Sequence, residues 1–235
     1  AVAELPDGTA CGVADCATAQ VCFGGTCQLR ATPNSCDAVA AGLQHGCDLR
    51  SGKVRCWGDN HQGQLARDSV LVNHSDAALT IPGLPANVHS IAAAAWNTCA
   101  IASGQVWCWG RVASPVAGIT GAVAIAAGDL HYCAIVAGGA VWCWTTETAD
   151  AAPVAGLSEG VTAIAATDRH TCAVKNGQVL CWEESDPAPL LEYLGHVPAG
   201  QDPVAAELVG PIDRLSTGWH QVCVLRAGGR GYVMK

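Results

Sequence analysis

The stretch APVAGLSEGVTAIAATDRHTCAVKNGQVLCW (152 to 182) decides the fold, because the chain repeats it. Full copies read TIPGLPANVHSIAAAAWNTCAIASGQVWCWG (80 to 110) and SPVAGITGAVAIAAGDLHYCAIVAGGAVWCW (114 to 144). A shorter copy without the opening strand, AVAAGLQHGCDLRSGKVRCWGDNHQGQL (38 to 65), precedes them, and PVAAELVGPIDRLSTGWHQVCVLRAGGRGYVMK (203 to 235) ends the chain. Each copy holds short apolar strands and a Gly turn, too little to bury a core alone, so neighbouring copies must stack to close one.

Counting outward from the turns places the cysteines. With Ser103-Gly104 as a two-residue hairpin loop, Ala102 faces Gln105 and Cys99 faces Cys108. The same count about Ser51-Gly52 sets Cys47 against Cys56, and about Asn176-Gly177 it sets Cys172 against Cys181. Between Cys133 and Cys143 the spacing is one residue longer, and a three-residue loop, Ala137-Gly138-Gly139, absorbs it. Three steps from the turn is a non-hydrogen-bonded pair, whose Cα separation of about 4.5 Å suits a disulfide. Side chains alternate along a strand, so Trp57, Trp109, Trp144 and Trp182 lie on the face opposite the bridges, with Trp107 and Trp142 beside their neighbours. They are expected to fill the space between adjacent sheets, where alanines such as Ala92 to Ala95 and Ala126-Ala127 leave room; an exposed sugar- or peptide-binding face is the alternative.

Composition sets the class. Half of the 235 residues are hydrophobic and 14% are charged, with 27 glycines and 11 prolines, as many short strands and tight turns require. A formal net charge of -8 with only 12 Lys and Arg offers no footprint for phosphates, so nucleic acid and anionic membrane are excluded as partners. Residues 77 to 110 carry no Lys, Arg, Asp or Glu, but Pro82, Gly83, Pro85, Asn87, Asn97 and Gly104 interrupt them too often for a membrane-inserted helix. The 14 cysteines contain no C-x₂-C pair of the zinc-binding kind and suit an oxidising compartment. The expectation is a mature form with its signal peptide removed, extracellular or at the cell surface, where a segment ahead of Ala1 could anchor it.

On GLQHGCDLRSGKVRCWGDNHQGQL (42 to 65) and GDLHYCAIVAGGAVWCW (128 to 144), which keep the Gly, His, small-apolar, Gly-turn, Trp-Gly and Gly-Gln-Leu order, the chain resembles the regulator-of-chromosome-condensation repeat family. The resemblance covers about residues 38 to 235 and implies a β-propeller, commonly of seven blades. The form the chain resembles is a cysteine-rich, secreted bacterial-type variant. Gly63-Gln64-Leu65 is its single Gly-Gln-Leu element, the copies number five, and Val233 and Met234 stand where the last Cys and Trp belong. The expected fold is therefore all-β: a propeller of about five repeats over 33 to 235, a reduced ring or part of a larger one, after a disulfide-rich segment over 1 to 32. No counterpart of the nuclear member's nucleotide-exchange wedge is visible, so the resemblance implies a fold and not that activity.

Cys11, Cys16, Cys22 and Cys27 form the N-terminal cluster, two bridges with three possible connectivities, or else a zinc site. Cys36 and Cys223 remain, and they are expected to pair or lie close, clasping the first blade to the last. Histidines recur before the hairpin cysteines at His45, His131, His170 and His220, with Asn97 substituting once. Structural hydrogen bonding is expected of them rather than a metal ring, since three ligands must meet within about 2.1 Å of one zinc. No G-x-S-x-G elbow occurs and Glu183, Glu184 and Asp186 sit in a linker, so no catalytic residue, cofactor or metal is assigned. Specificity is expected in the variable stretches Gly58 to Ala78 and Glu183 to Pro211, the latter including the apolar run from Pro189 to Leu194. The leading function is a non-catalytic extracellular or cell-surface scaffold for a protein partner; an enzyme with its site in the propeller funnel and an intracellular nucleotide-exchange or signalling regulator are the alternatives.

Overall fold

The computed structural model describes residues 38–111, 114–146 and 150–183, together with the strands Ala3–Glu4, Gln20–Phe23, Thr26–Leu29, Ile212–Thr217, Val222–Arg226 and Gly231–Met234. All the regular elements among these residues are strands. They form five antiparallel sheets, one per repeat, and a separate hairpin at 20–29 in which Cys22 faces Cys27.

Each sheet is a blade read outward from its first strand. Blade one comprises Ala38–Ala41, His45–Arg50, Lys53–Asp59 and His74–Thr80. Blade two comprises Val88–Ala93, Asn97–Ala102, Gln105–Gly110 and Ser114–Pro115, and blade three Ala122–Ala127, His131–Val136, Val141–Thr145 and Ala152–Pro153. Blade four has the three strands Val161–Ala166, His170–Lys175 and Gln178–Glu183. Blade five has Ile212–Thr217, Val222–Arg226 and Gly231–Met234, and its outer edge is completed by Ala3–Glu4, with Ala3 opposite Val233. First strands pack on first strands from blade to blade, which puts them at the propeller axis.

The turns fix the register. Ser51, Ser103 and Asn176 have φ of 48°, 52° and 53°, each followed by a glycine at 75° to 77°, the double left-handed conformation of a two-residue hairpin. Cys47–Cys56, Cys99–Cys108 and Cys172–Cys181 are bonded across these hairpins, and Cys133–Cys143 across the glycine-bearing longer turn, with Cα separations of 4.0 to 4.1 Å. Cys223 faces Val233 and is a free thiol, which corrects the expectation of a disulfide from it to Cys36, itself outside the described residues.

The structure shifts the repeat by one strand. The PVAG-type segments at 114 and 152 open a copy in sequence, yet Pro115 pairs with Trp107 and Pro153 with Trp142, so each completes the blade before it. Blade one likewise has its outer strand, His74–Thr80, beginning inside the stretch Gly58 to Ala78 that sequence treats as a variable loop. The reason is covalent: the chain leaves the third strand and crosses to the next blade's first strand, and the edge it passes offers free backbone groups.

Four apolar clusters weld successive blades. Cys47, Leu49 and Val54 of blade one meet Ile91, Ala100 and Trp109 of blade two. Cys99, Ile101 and Val106 meet Tyr132, Ala134 and Trp144. Cys133, Ile135 and Val141 meet Ala173 and Trp182, and Cys172, Val174 and Val179 meet Leu215, Val222 and Val224. The disulfide face of each blade thus looks at the next blade and the Trp face at the previous one. Among the described residues no such cluster joins blade five to blade one. Trp57 accordingly is 36% exposed where Trp109, Trp144 and Trp182 are 4%, 5% and 3%. That corrects the expectation that all four rings fill spaces between sheets.

The uncovered face of blade one is built differently. Asp48 stands where the other blades have Ala100, Ala134 and Ala173, and both Arg50 and Arg55 bond to it. Burial alone would raise the Asp48 carboxyl, but the hydrogen bonds and charge of Arg55, then of Arg50, hold it below the usual carboxylate range.

Candidate functional site

Strand polarity gives the propeller two unlike ends. One carries the hairpin turns, Ser51-Gly52, Ser103-Gly104, Ala137-Gly138-Gly139 and Asn176-Gly177, all small or polar. The other carries the turns between first and second strands (42–44, 94–96, 128–130 and 167–169) and the loops that follow the third strands. Leu43 and Leu130 stand in this loop end, 52% and 50% exposed, with Trp96 half-buried between them in chain order.

Backbone bonds tie the loop end together. Leu43 N–H donates to Ala95 O across blades one and two, and Asp129 N–H to Asp168 O across blades three and four. Asp59 N–H donates to Gln44 O and Thr146 N–H to Leu130 O within blades. Side chains finish the job. Nε2 of His45 lies 2.7 Å from Oγ1 of Thr98 on the next blade, and Nε2 of His131 lies 2.7 Å from Oγ1 of Thr171. The same threonine hydroxyls sit 3.6 Å from Sγ of Cys47 and Cys133, over the disulfides.

Each of these rings packs onto a glycine five residues before the hairpin cysteine. A Cβ at Gly42 would run into the His45 imidazole and the Ala94 carbonyl, and one at Gly128 into His131 and the Thr167 carbonyl. Where blade two has Asn97 for His it has Ala94 for Gly, and Asn97 Oδ1 accepts from Arg111 N–H instead. Blade four keeps His170, but blade five offers Val222 in place of a threonine; His170 is exposed and Thr167 replaces the glycine. The signal legible in sequence was therefore a pair, G-x-x-H in one repeat and Thr before Cys in the next. Burial lowers the His45 pKa to about 4 against a smaller upward pull from Asp59. Burial and then the charge of His170 lower His131 to about 4, with Asp168 pulling upward. His220 lies outside the described residues, and among those described no group of three or more His, Cys, Asp or Glu is placed to hold a metal.

The loop 60–73 is the long described connection of this end, and it is braced throughout. Asn60 is fully buried; its N–H donates to Asn73 O, its Oδ1 accepts Leu65 N–H at 2.7 Å and its Nδ2 donates to Val72 O at 2.5 Å. Gln64, also buried, donates to Asp59 Oδ2, and its own carbonyl accepts Trp109 Nε1–H from blade two. His61 Nδ1 meets the other Asp59 oxygen; burial would raise that carboxyl, but the bonds from His61 and Gln64 lower it. Asp68 Oδ1 caps Val70 N–H at 2.8 Å. From this frame Val70 and Leu71 project 90% and 81% exposed. Apart from Glu183, the second variable stretch, including Pro189 to Leu194, lies outside the described residues, as do Cys11, Cys16 and Cys36.

No protein-family model and no curated protein matches the sequence. Solved structures do. The chain is similar to Prp20p of Saccharomyces cerevisiae, studied for its binding to Gsp1p and histones, at TM-score 0.65 and 19% identity over 99% of this chain and 65% of that one. It is similar to human WBSCR16 at TM-score 0.66 and 14% identity, over 94% of this chain and 70% of that one. It is also similar to the CRINKLY WD40 ectodomain of the Arabidopsis thaliana receptor kinase ACR4, at TM-score 0.52 and 22% identity, over 86% and 65%. The chain thus spans just under two thirds of Prp20p. These likenesses define the fold class, a β-propeller of the RCC1 kind.

Proposed function

We propose that the chain is an extracellular or cell-surface scaffold that binds a protein partner and performs no chemistry of its own. The observation that carries the reading is the unlike pair of ends: small polar turns at one, with exposed Val123 beside them, and at the other hydrogen-bonded loops that present exposed Leu43, Val70, Leu71 and Leu130. Rigid scaffolds presenting such loops are recognition devices. Propellers of similar fold bind proteins, as Prp20p does Gsp1p and histones, and one similar ectodomain belongs to a receptor kinase. Four hairpin disulfides support an oxidising address. The cysteine-rich segment 1–32 serves as stalk or spacer, with Ala3–Glu4 laid against blade five.

An enzyme in the funnel is the weaker reading, because His45 and His131 are committed to threonines of the next blade. No helix among the described residues is long and apolar enough to cross a membrane. The test is binding of the purified, fluorescently labelled chain to intact cells that produce it. Saturable binding abolished by prior protease treatment of the cells is expected; absence of saturable binding, or binding indifferent to protease, contradicts the proposal.

A further inference from the structure

Val70 and Leu71 pose a physical question, since two adjacent aliphatic side chains lie almost wholly in water on a loop whose backbone is pinned at Asn60, Gln64 and Asp68. A flexible loop could tuck them away. This one cannot: Leu71 and Val72 N–H both donate to Asp68 O, and Val72 O is held by Asn60 Nδ2. Arg67 donates to Thr80 O and fastens the loop to the outer strand of blade one. Fixing apolar groups in their exposed positions removes the ordering cost that a binding event would otherwise meet. The loop that bears this knob follows the third strand of blade one at the same end of the propeller as Leu43 and Leu130, and Asp59 N–H joins it to Gln44 O in the turn that carries Leu43.

We propose that this loop end is the recognition surface and that Val70 and Leu71 enter an apolar pocket on a protein partner, with Leu43 and Leu130 as flanking contacts. This rests on the scaffold reading above and says which surface serves it and by what chemistry. The side chains are aliphatic, and Trp57, the exposed tryptophan among the described residues, lies on the flank of blade one, so stacking on sugar rings is not what the knob offers. On the loop and the strand ends that carry it, residues 59 to 76, Asp59, Asp68 and Asp76 stand against Arg67, an acidic excess that opposes anionic lipid and favours a pocket with a basic rim.

The test uses the cell-binding assay with the whole chain. The double variant V70D/L71D, at positions too exposed to disturb folding, is expected to bind at least tenfold more weakly than the parent. The conservative V70I/L71M is expected to bind within threefold of it, and so is K53E/K175E, which alters the hairpin end. Full binding by V70D/L71D overturns the assignment of the surface while leaving the scaffold reading standing; no saturable binding by the parent overturns both. Vesicles of phosphatidylcholine, alone or with phosphatidylserine, are expected not to bind the chain. Vesicle binding that V70D/L71D abolishes would make the knob a membrane contact and overturn the protein partner.

Discussion

At the scale of single residues, the buried histidines give the molecule a pH dependence of definite sign. The unfolded chain takes up a proton at each imidazole near pH 6.5, whereas His45 and His131 in the folded state resist it until about pH 4. The unfolded state therefore binds more protons between these values, so stability is complete above pH 6.5 and falls as the pH drops toward 4. A depression of this size corresponds to about 3 kcal/mol per histidine at the acid limit. Chemical denaturation at pH 7.5 and pH 5.0 should show a clear loss, and H131N should flatten it; an unchanged midpoint would mean the rings are not buried neutral. The recurrence of these histidines and their structural role were legible in sequence. Their partners, Thr98 and Thr171, lie on the next blade, so the mark they leave, Thr before Cys, is legible only when two successive repeats are read together.

At the scale of the strand and blade, the turn chemistry carried most of the information. Ser-Gly and Asn-Gly turns fix the register of second and third strands, and the cysteines follow by alternation. The outer strand was misread, since His74–Thr80 has no apolar alternation and, apart from Leu79 packing on the core, is held by backbone pairing with the third strand. The repeated tryptophan was read as one environment when it is two, because burial depends on whether a blade precedes it. Replacing Trp109, Trp144 or Trp182 by alanine should cost about 3 to 5 kcal/mol each, as for other fully buried aromatics. W57A should cost less than half of that in the same urea titration. Equal losses at all four positions would show that blade one is covered in solution as the others are.

At the scale of the whole molecule, five blades are welded in series by four apolar seams, and each blade is stapled by its own short disulfide except the last. Closing a loop of ten residues by a disulfide contributes about 2 to 3 kcal/mol through the unfolded chain, so four of them are a large share of a domain's net stability. Blade five departs from this scheme because Val233 faces Cys223, which is left as a free thiol. The number of repeats and their all-β character could be read from the sequence. The charged face formed by Asp48, Arg50 and Arg55 could not, because only the placement of blade one at the end of the series gives those residues meaning.

Disulfide mapping by mass spectrometry of the unreduced chain, taken from the cell that makes it, tests the whole account most directly. Peptides joining Cys47 to Cys56, Cys99 to Cys108, Cys133 to Cys143 and Cys172 to Cys181 are the expected result. Free thiols at the hairpin positions, or any of those eight cysteines bonded outside its own hairpin, would contradict both the stapled blade and the oxidising address.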